Sequence, residues 1–154
     1  MNLDDLKAKV LEAQQNSDIA SLFVLEEEAH ILFDEEMLSA FYMNILDLAL
    51  ERLTDTLEAH RVMDMQEVQD FATLRALYEY ALEHYSAGKI SDAAALFEVL
   101  SGLTNDKEFS DALKIHTKAS NAQVSFDEFL SKTADIDASQ NAGKFYISHF
   151  KDTL

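Results

Sequence analysis

The stretch LYEYALEHYSAGKISDAAALFEVL, residues 77–100, decides how the rest of the chain is read. Leu77, Ala81 and Leu82 before Gly88, and Ala93, Phe97 and Leu100 after it, recur at the three- and four-residue spacing of a helix face. Gly88 falls between the two runs, where a glycine suits the tight corner of a hairpin. The stretch therefore predicts two helices folded back on each other at Gly88. Ala81 and Ala93 are small enough to let them approach, and Phe97 fills the space beside them. Ser91 is the expected cap of the second helix, and Gly102 its expected end.

Working outward, the punctuation needed for anything but helices is scarce. The 154 residues include no proline, no cysteine and three glycines, and 48% are hydrophobic. Long helices joined by short polar turns follow, in an all-α fold: a helical bundle or short helical-repeat array of antiparallel helices. The length fits a single domain, residues 1–154, with acidic helices over 1–64, the hairpin and a following helix over 66–120, and short helices over 125–154.

Before the hairpin, Leu3, Leu6, Val10 and Ala13 mark a first helix that stops near Gln15 and Asn16. Ser17 or Asp18 caps a second that carries Ile19, Leu22, Phe23, Leu25, Ala29, Leu32 and Phe33. Asp34, Glu35 and Glu36 suit the positive end of a third helix, reaching about Arg61. Its apolar stretch LSAFYMNILDLAL wraps more than one face, as a central element or a homodimer seam would. A fourth helix begins near Gln66 and runs to Tyr85. After the hairpin, Asn105 or Asp106 opens a helix with Phe109, Ala112, Leu113 and His116 inward. Ser125 and Glu128 form a capping box for a short helix with Phe126, Phe129 and Leu130. ADIDASQNAG, residues 134–143, is expected to be polar, helix-poor and flexible, and KFYISHFKDTL, residues 144–154, is read as helix because no second strand is available to pair with it.

Residues 75–103 resemble a tetratricopeptide repeat, with Leu77, Ala81, Ala93, Phe97 and Leu100 at its large, small, small, aromatic and last apolar positions. His84 stands where an aromatic is usual, with Tyr85 beside it, and Asn105 replaces the common proline. Among such repeats, LYEYALEHYSAGKISDAAALFEVLSGL looks most like the first repeat of bacterial type III secretion chaperones, acidic cytosolic proteins that hold translocator subunits. The family has three repeats where this chain shows one. The resemblance implies a groove lined by first-helix side chains, with Tyr78, Glu79, Leu82, His84 and Tyr85 as partner-binding candidates. Tyr78 and Tyr85 can equally be core aromatics whose hydroxyls reach water.

The formal net charge of −17 is uneven: residues 1–70 hold 17 acidic and 4 basic side chains. Such a field repels phosphate backbones and anionic lipid, which argues against nucleic acid and membrane surfaces. No apolar run approaches a membrane span, and the first residues lack a signal-peptide layout, so a cytoplasmic location is expected. Without cysteine there is no thiolate nucleophile, disulfide or thiolate metal site. Glu27-x-x-His30 has a di-metal spacing, but no second copy accompanies it. The five histidines are scattered, each read as a surface or boundary residue. No catalytic signature or phosphate loop occurs, so no enzyme, cofactor or metal is expected.

Two roles remain. One is a protein-binding module, a chaperone or adaptor of the secretion or flagellar type, holding another polypeptide. The other is an acidic inhibitor or immunity-type protein that blocks a basic toxin or enzyme through the field of residues 10–51. The acidic face itself is either a docking surface or a solvated one.

Overall fold

A computed structural model describes residues 1–151. Among them the protein is all-α, with nine α-helices and no strand. The first is α1 (Leu3–Gln15), capped by Asn2, whose side chain accepts from the Asp5 N–H. Asp18 caps α2 (Ile19–Val24) by accepting from the Ser21 N–H. Asp34 does the same for the Met37 N–H at the start of α4 (Glu35–Glu58). Between them lies α3 (Glu26–Leu32), so the single helix read over residues 19–33 is two. The break falls at Leu25, whose N–H is shared between the carbonyls of Ser21 and Leu22. The bend that results aims Glu26 at Tyr42 and Arg75.

The hairpin is α5 (Val68–Ser86) and α6 (Ile90–Leu103), followed by α7 (Lys107–Asn121), each packed antiparallel on the last. Leu77, Ala81, Ala93 and Phe97 have no exposed surface and Leu100 has 1%. Phe97 packs against the rings of Tyr78, Tyr85 and His116, and burying such a side chain is worth about 1.5–3 kcal/mol. Gly88 has φ +82° at the corner. Ser91 is not the cap: Lys89 holds that position without a side-chain bond, and Ser91 lies in the first turn. Gly102 is likewise inside α6, which continues to Leu103 because the Thr104 N–H still reaches the Leu100 carbonyl.

Gly88 is one of four equivalent helix ends. At Ser17, His60, Gly88 and Gln123 the backbone turns left-handed, with φ of 52°, 54°, 82° and 61°. In each case the residue's N–H returns to a carbonyl three back and the next N–H to one five back, as Lys89 does to His84 at 2.9 Å. These paired bonds satisfy the carbonyls orphaned at a helix end. Three of the four use a residue that strains in this conformation, so glycine counting alone missed them.

The segment between α4 and α5 is tied to the end of α6 by a parallel bridge between Met63 and Thr104. The Met63 N–H donates to the Leu103 carbonyl and the Asn105 N–H to the Met63 carbonyl. Proline at position 105 would lack that N–H, a physical reason for the departure from the repeat pattern.

After α7 come α8 (Phe126–Glu128) and a π-turn, Phe129–Thr133. Residues 134–143 are not helix-poor: Asp135 caps α9 (Ile136–Ala142) and Gly143, at φ +69°, ends it. Residues 144–151 are not helical either. Phe150 pairs antiparallel with Ala134, the short partner that sequence alone did not reveal. The Lys151 N–H donates to the Thr133 carbonyl at 2.8 Å and the Asp135 N–H to the His149 carbonyl at 2.9 Å. The remainder of that stretch, residues 152–154, lies outside the described residues. One apolar cluster runs from Leu6 to Tyr146, with α5 central to it, packed against α2, α4 and α6.

Candidate protein-binding site

The five residues singled out on α5 do not share a surface. Tyr78 is fully buried, ringed by Phe97, Phe109 and His116. Its hydroxyl donates to His116 Nε2 at 2.7 Å and accepts from the Ile147 N–H at 3.0 Å. Tyr85 is 1% exposed and donates to the Val124 carbonyl at 2.7 Å; burial pushes its phenol up to about 12. Both are core aromatics, but their hydroxyls reach protein partners and not water. Leu82 is half-buried beside residues 144–147, and His84 stacks edge-on against Tyr80 with centroids 4.4 Å apart. Tyr78 and Leu82 line a small hollow against residues 144–147, and Glu79 borders a larger groove on another face of the helix.

That groove lies between α4 and α5 and has a volume of about 450 Å³. Ala76, Glu79, Tyr80 and Glu83 supply the α5 wall, one face at helical spacing. Tyr42, Met43 and Leu46 supply the α4 wall, and Phe23 of α2 closes one end. Met43 is 62% exposed, an unbranched apolar side chain that adapts to what covers it. The floor is apolar and the rim carries two carboxylates, Glu79 and Glu83. Tyr80 and Met43 were not anticipated: the periodicity of α5 holds the first, but only the pairing of α4 with α5 brings the second to it.

A charged network braces the Phe23 end. Tyr42 donates to Glu26 Oε2 at 2.5 Å, so the Nε2–H of His30 donates to the Tyr42 hydroxyl, at 2.7 Å. Burial, then the neighbouring Glu26, raises the Tyr42 phenol above its ordinary value. Arg75 bonds Glu26 Oε1 and Glu79 Oε1, each at 3.0 Å, and its guanidinium lies 4.0 Å from the Phe23 ring centroid. Burial works against the Arg75 charge, but the two carboxylates more than offset it and leave the guanidinium pKa raised. The network thus fixes Glu26 and one oxygen of Glu79, while Glu83 remains free to meet a cation.

His116, read from sequence as an inward member of its helix but assigned with the other histidines to the surface or boundary, is wholly buried. Its Nδ1–H donates to the Ala112 carbonyl at 2.7 Å, leaving Nε2 to accept from Tyr78, and burial holds it neutral, down to about 4. Among the described residues no group of three or more histidines or carboxylates is placed to hold a metal ion. No described helix is long and apolar enough to cross a membrane.

The fold and groove define an all-α protein with an open, acid-rimmed apolar cleft. No protein-family model, no curated protein and no solved structure matches the chain.

Proposed function

We propose that the protein is a non-enzymatic binding module that holds a segment of another polypeptide in the groove between α4 and α5. The observation that carries this reading is the combination of an exposed Met43 with half-buried Tyr80 and Leu46 on an apolar floor and Glu79 and Glu83 on the rim. An amphipathic helix with two or three apolar anchors and a lysine or arginine beside them complements that surface. The resemblance of residues 75–103 to the first repeat of type III secretion chaperones supports a role of the chaperone or adaptor kind, in the cytoplasm.

The test is comparative capture from the native cytosol with the wild-type chain and with the double variant Met43→Asp, Tyr80→Ser, followed by calorimetry on the retained protein. A positively charged polypeptide bound by the wild type and weakened at least about tenfold by the variant supports the reading. An identical retained set, with helicity unchanged, sinks it.

The excess of 17 acidic over 4 basic side chains in residues 1–70 favours a second reading, an inhibitor or immunity-type protein acting on a basic target. Its signature is an association rate that falls steeply with salt and collapses when Glu27, Glu28, Glu35 and Glu36 are reversed. A partner held through the apolar groove keeps most of its affinity in high salt.

A further inference from the structure

Residues 144–151 run without helix across the helical core, adding Tyr146 to it and laying Phe145, Ile147 and Phe150 against it. Phe145 lies edge-on to Phe71, Tyr78 and Phe109, with centroids 5.2, 6.0 and 5.1 Å apart. Tyr146 lies 4.5 Å from Phe109, and Phe150 lies 5.9 Å from His116. The helical residues beneath, Tyr78, Phe109 and His116, have no exposed surface. Above them only Tyr146 is buried, while Phe145, Ile147 and Phe150 are half-buried.

The backbone is held by main-chain bonds of the kind that seat an extended peptide. Tyr78 accepts the Ile147 N–H, Ser139 Oγ accepts those of Ser148 and His149 at 3.1 and 3.0 Å, and residues 133–135 pair with 149–151. Two hollows, of about 210 and 130 Å³, remain along its length. Lys144, 3.6 Å from Glu108, and Lys151 flank the aromatic residues with positive charge in a chain of net −17.

We infer that residues 144–151 occupy in cis a peptide groove on α5 and α7, and that the groove also accepts in trans an extended, basic-flanked partner segment patterned aromatic-aromatic-aliphatic-x-x-aromatic, as residues 145–150 are. The face of α5 that the sequence reading assigned to a partner, Tyr78 and Leu82, is the face this segment covers. A tethered occupant acts at an effective concentration on the order of millimolar, so a trans segment binds weakly until the tethered one is loosened. The inference does not rest on the α4–α5 groove, since Tyr78 and Leu82 lie on a different face of α5 from Ala76, Glu79, Tyr80 and Glu83.

The probe is a fluorescent synthetic peptide KFYISHFK, with a shuffled peptide of the same composition as control, titrated by anisotropy into three full-length chains. These are the wild type, the loosened Phe145→Ser, Phe150→Ser variant, and that variant with Tyr78→Phe added. The loosened chain binds the peptide at least about tenfold more tightly than the wild type does, the shuffled peptide does not bind, and Tyr78→Phe weakens binding several-fold by removing the acceptor for the Ile147 N–H. Equal affinity for wild type and loosened chain, or for both peptides, overturns the proposal. Should the loosened chain lose its helicity, a protease site inserted between Gly143 and Lys144 and cut after folding gives the same reading. Exchange of the cut segment for the labelled peptide supports the proposal, and retention without exchange overturns it. Wild-type dimers that vanish in the Phe145→Ser, Phe150→Ser chain overturn the assignment to a partner in favour of exchange between two copies. Met43→Asp with Tyr80→Ser leaves KFYISHFK binding unchanged, so the two grooves succeed or fail separately.

Discussion

Acid should weaken this protein through one side chain that can be isolated from its many carboxylates. His116 is enclosed by the rings of Tyr78, Phe97, Phe129 and Phe150, donates from Nδ1 to the Ala112 carbonyl and accepts at Nε2 from Tyr78. Protonation would place two donors where one acceptor already faces a donor, with no carboxylate among those contacts, so burial depresses its pKa from 6.5 to about 4. Above the unfolded value both states are neutral and the group contributes no pH dependence. As pH falls from 6.5 toward 4, the unfolded chain takes up a proton that the folded chain refuses, so stability is lost across that window and levels off below it. The displacement corresponds to about 3 kcal/mol, at roughly 1.4 kcal/mol per pH unit. The variant His116→Gln keeps a neutral donor and acceptor and has nothing to titrate. Urea denaturation of both chains, followed by circular dichroism from pH 7.5 to 4, removes the shared carboxylate titration by difference. The stability difference should shift by about 3 kcal/mol in favour of the variant, or about 1.5 M in midpoint at an m-value near 2 kcal/mol/M. A difference flat to within about 0.5 kcal/mol across the range would show that His116 is not held neutral by its surroundings.

Exchanging the strained helix ends for glycine should stabilise: Ser17→Gly, His60→Gly and Gln123→Gly each by about 0.5–1 kcal/mol in thermal or urea unfolding, and Gly88→Ala should cost about 1–2 kcal/mol, the opposite sign at an equivalent turn. Phe97→Ala should cost about 3–5 kcal/mol, because its neighbours Tyr78, Tyr85 and His116 are themselves locked by hydrogen bonds and cannot collapse into the space. Arg75→Met should cost about 1–2 kcal/mol by chemical denaturation, part of it insensitive to salt, since the contact with the Phe23 ring is not screened as the two half-exposed ion pairs are.

Much of the fold was legible because helix caps and apolar spacing are local. Asp18, Asp34, Asp106 and Ser125 cap where their side chains can reach an N–H three residues on, and that reach is set by backbone geometry alone. The errors fell where a distant group supplies the deciding bond. Residues 134–143 are polar by composition, yet Asp135 caps a helix there while the Ser139 hydroxyl is engaged by the N–H groups of Ser148 and His149. The last segment has a pattern that fits helix or strand, and its partner Ala134 is a single extended residue just after the π-turn, not a recognisable strand.

The candidate site divides in the same way. That α5 carries aromatic and acidic side chains is written in the chain, but which of them face outward depends on what packs against each side. Tyr78 and Tyr80 are two residues apart on one helix, and nothing local distinguishes them. One is sealed by α7 and residues 145–147; the other is left at the edge of α4. What the sequence by itself determined is an acidic, proline-free chain of capped helices turning at Gly88, since those properties follow from single residues and their near neighbours. Only the tertiary structure decided which face of α5 stays open, because exposure is a property of the neighbours that fail to cover a residue, and those come from elsewhere in the chain.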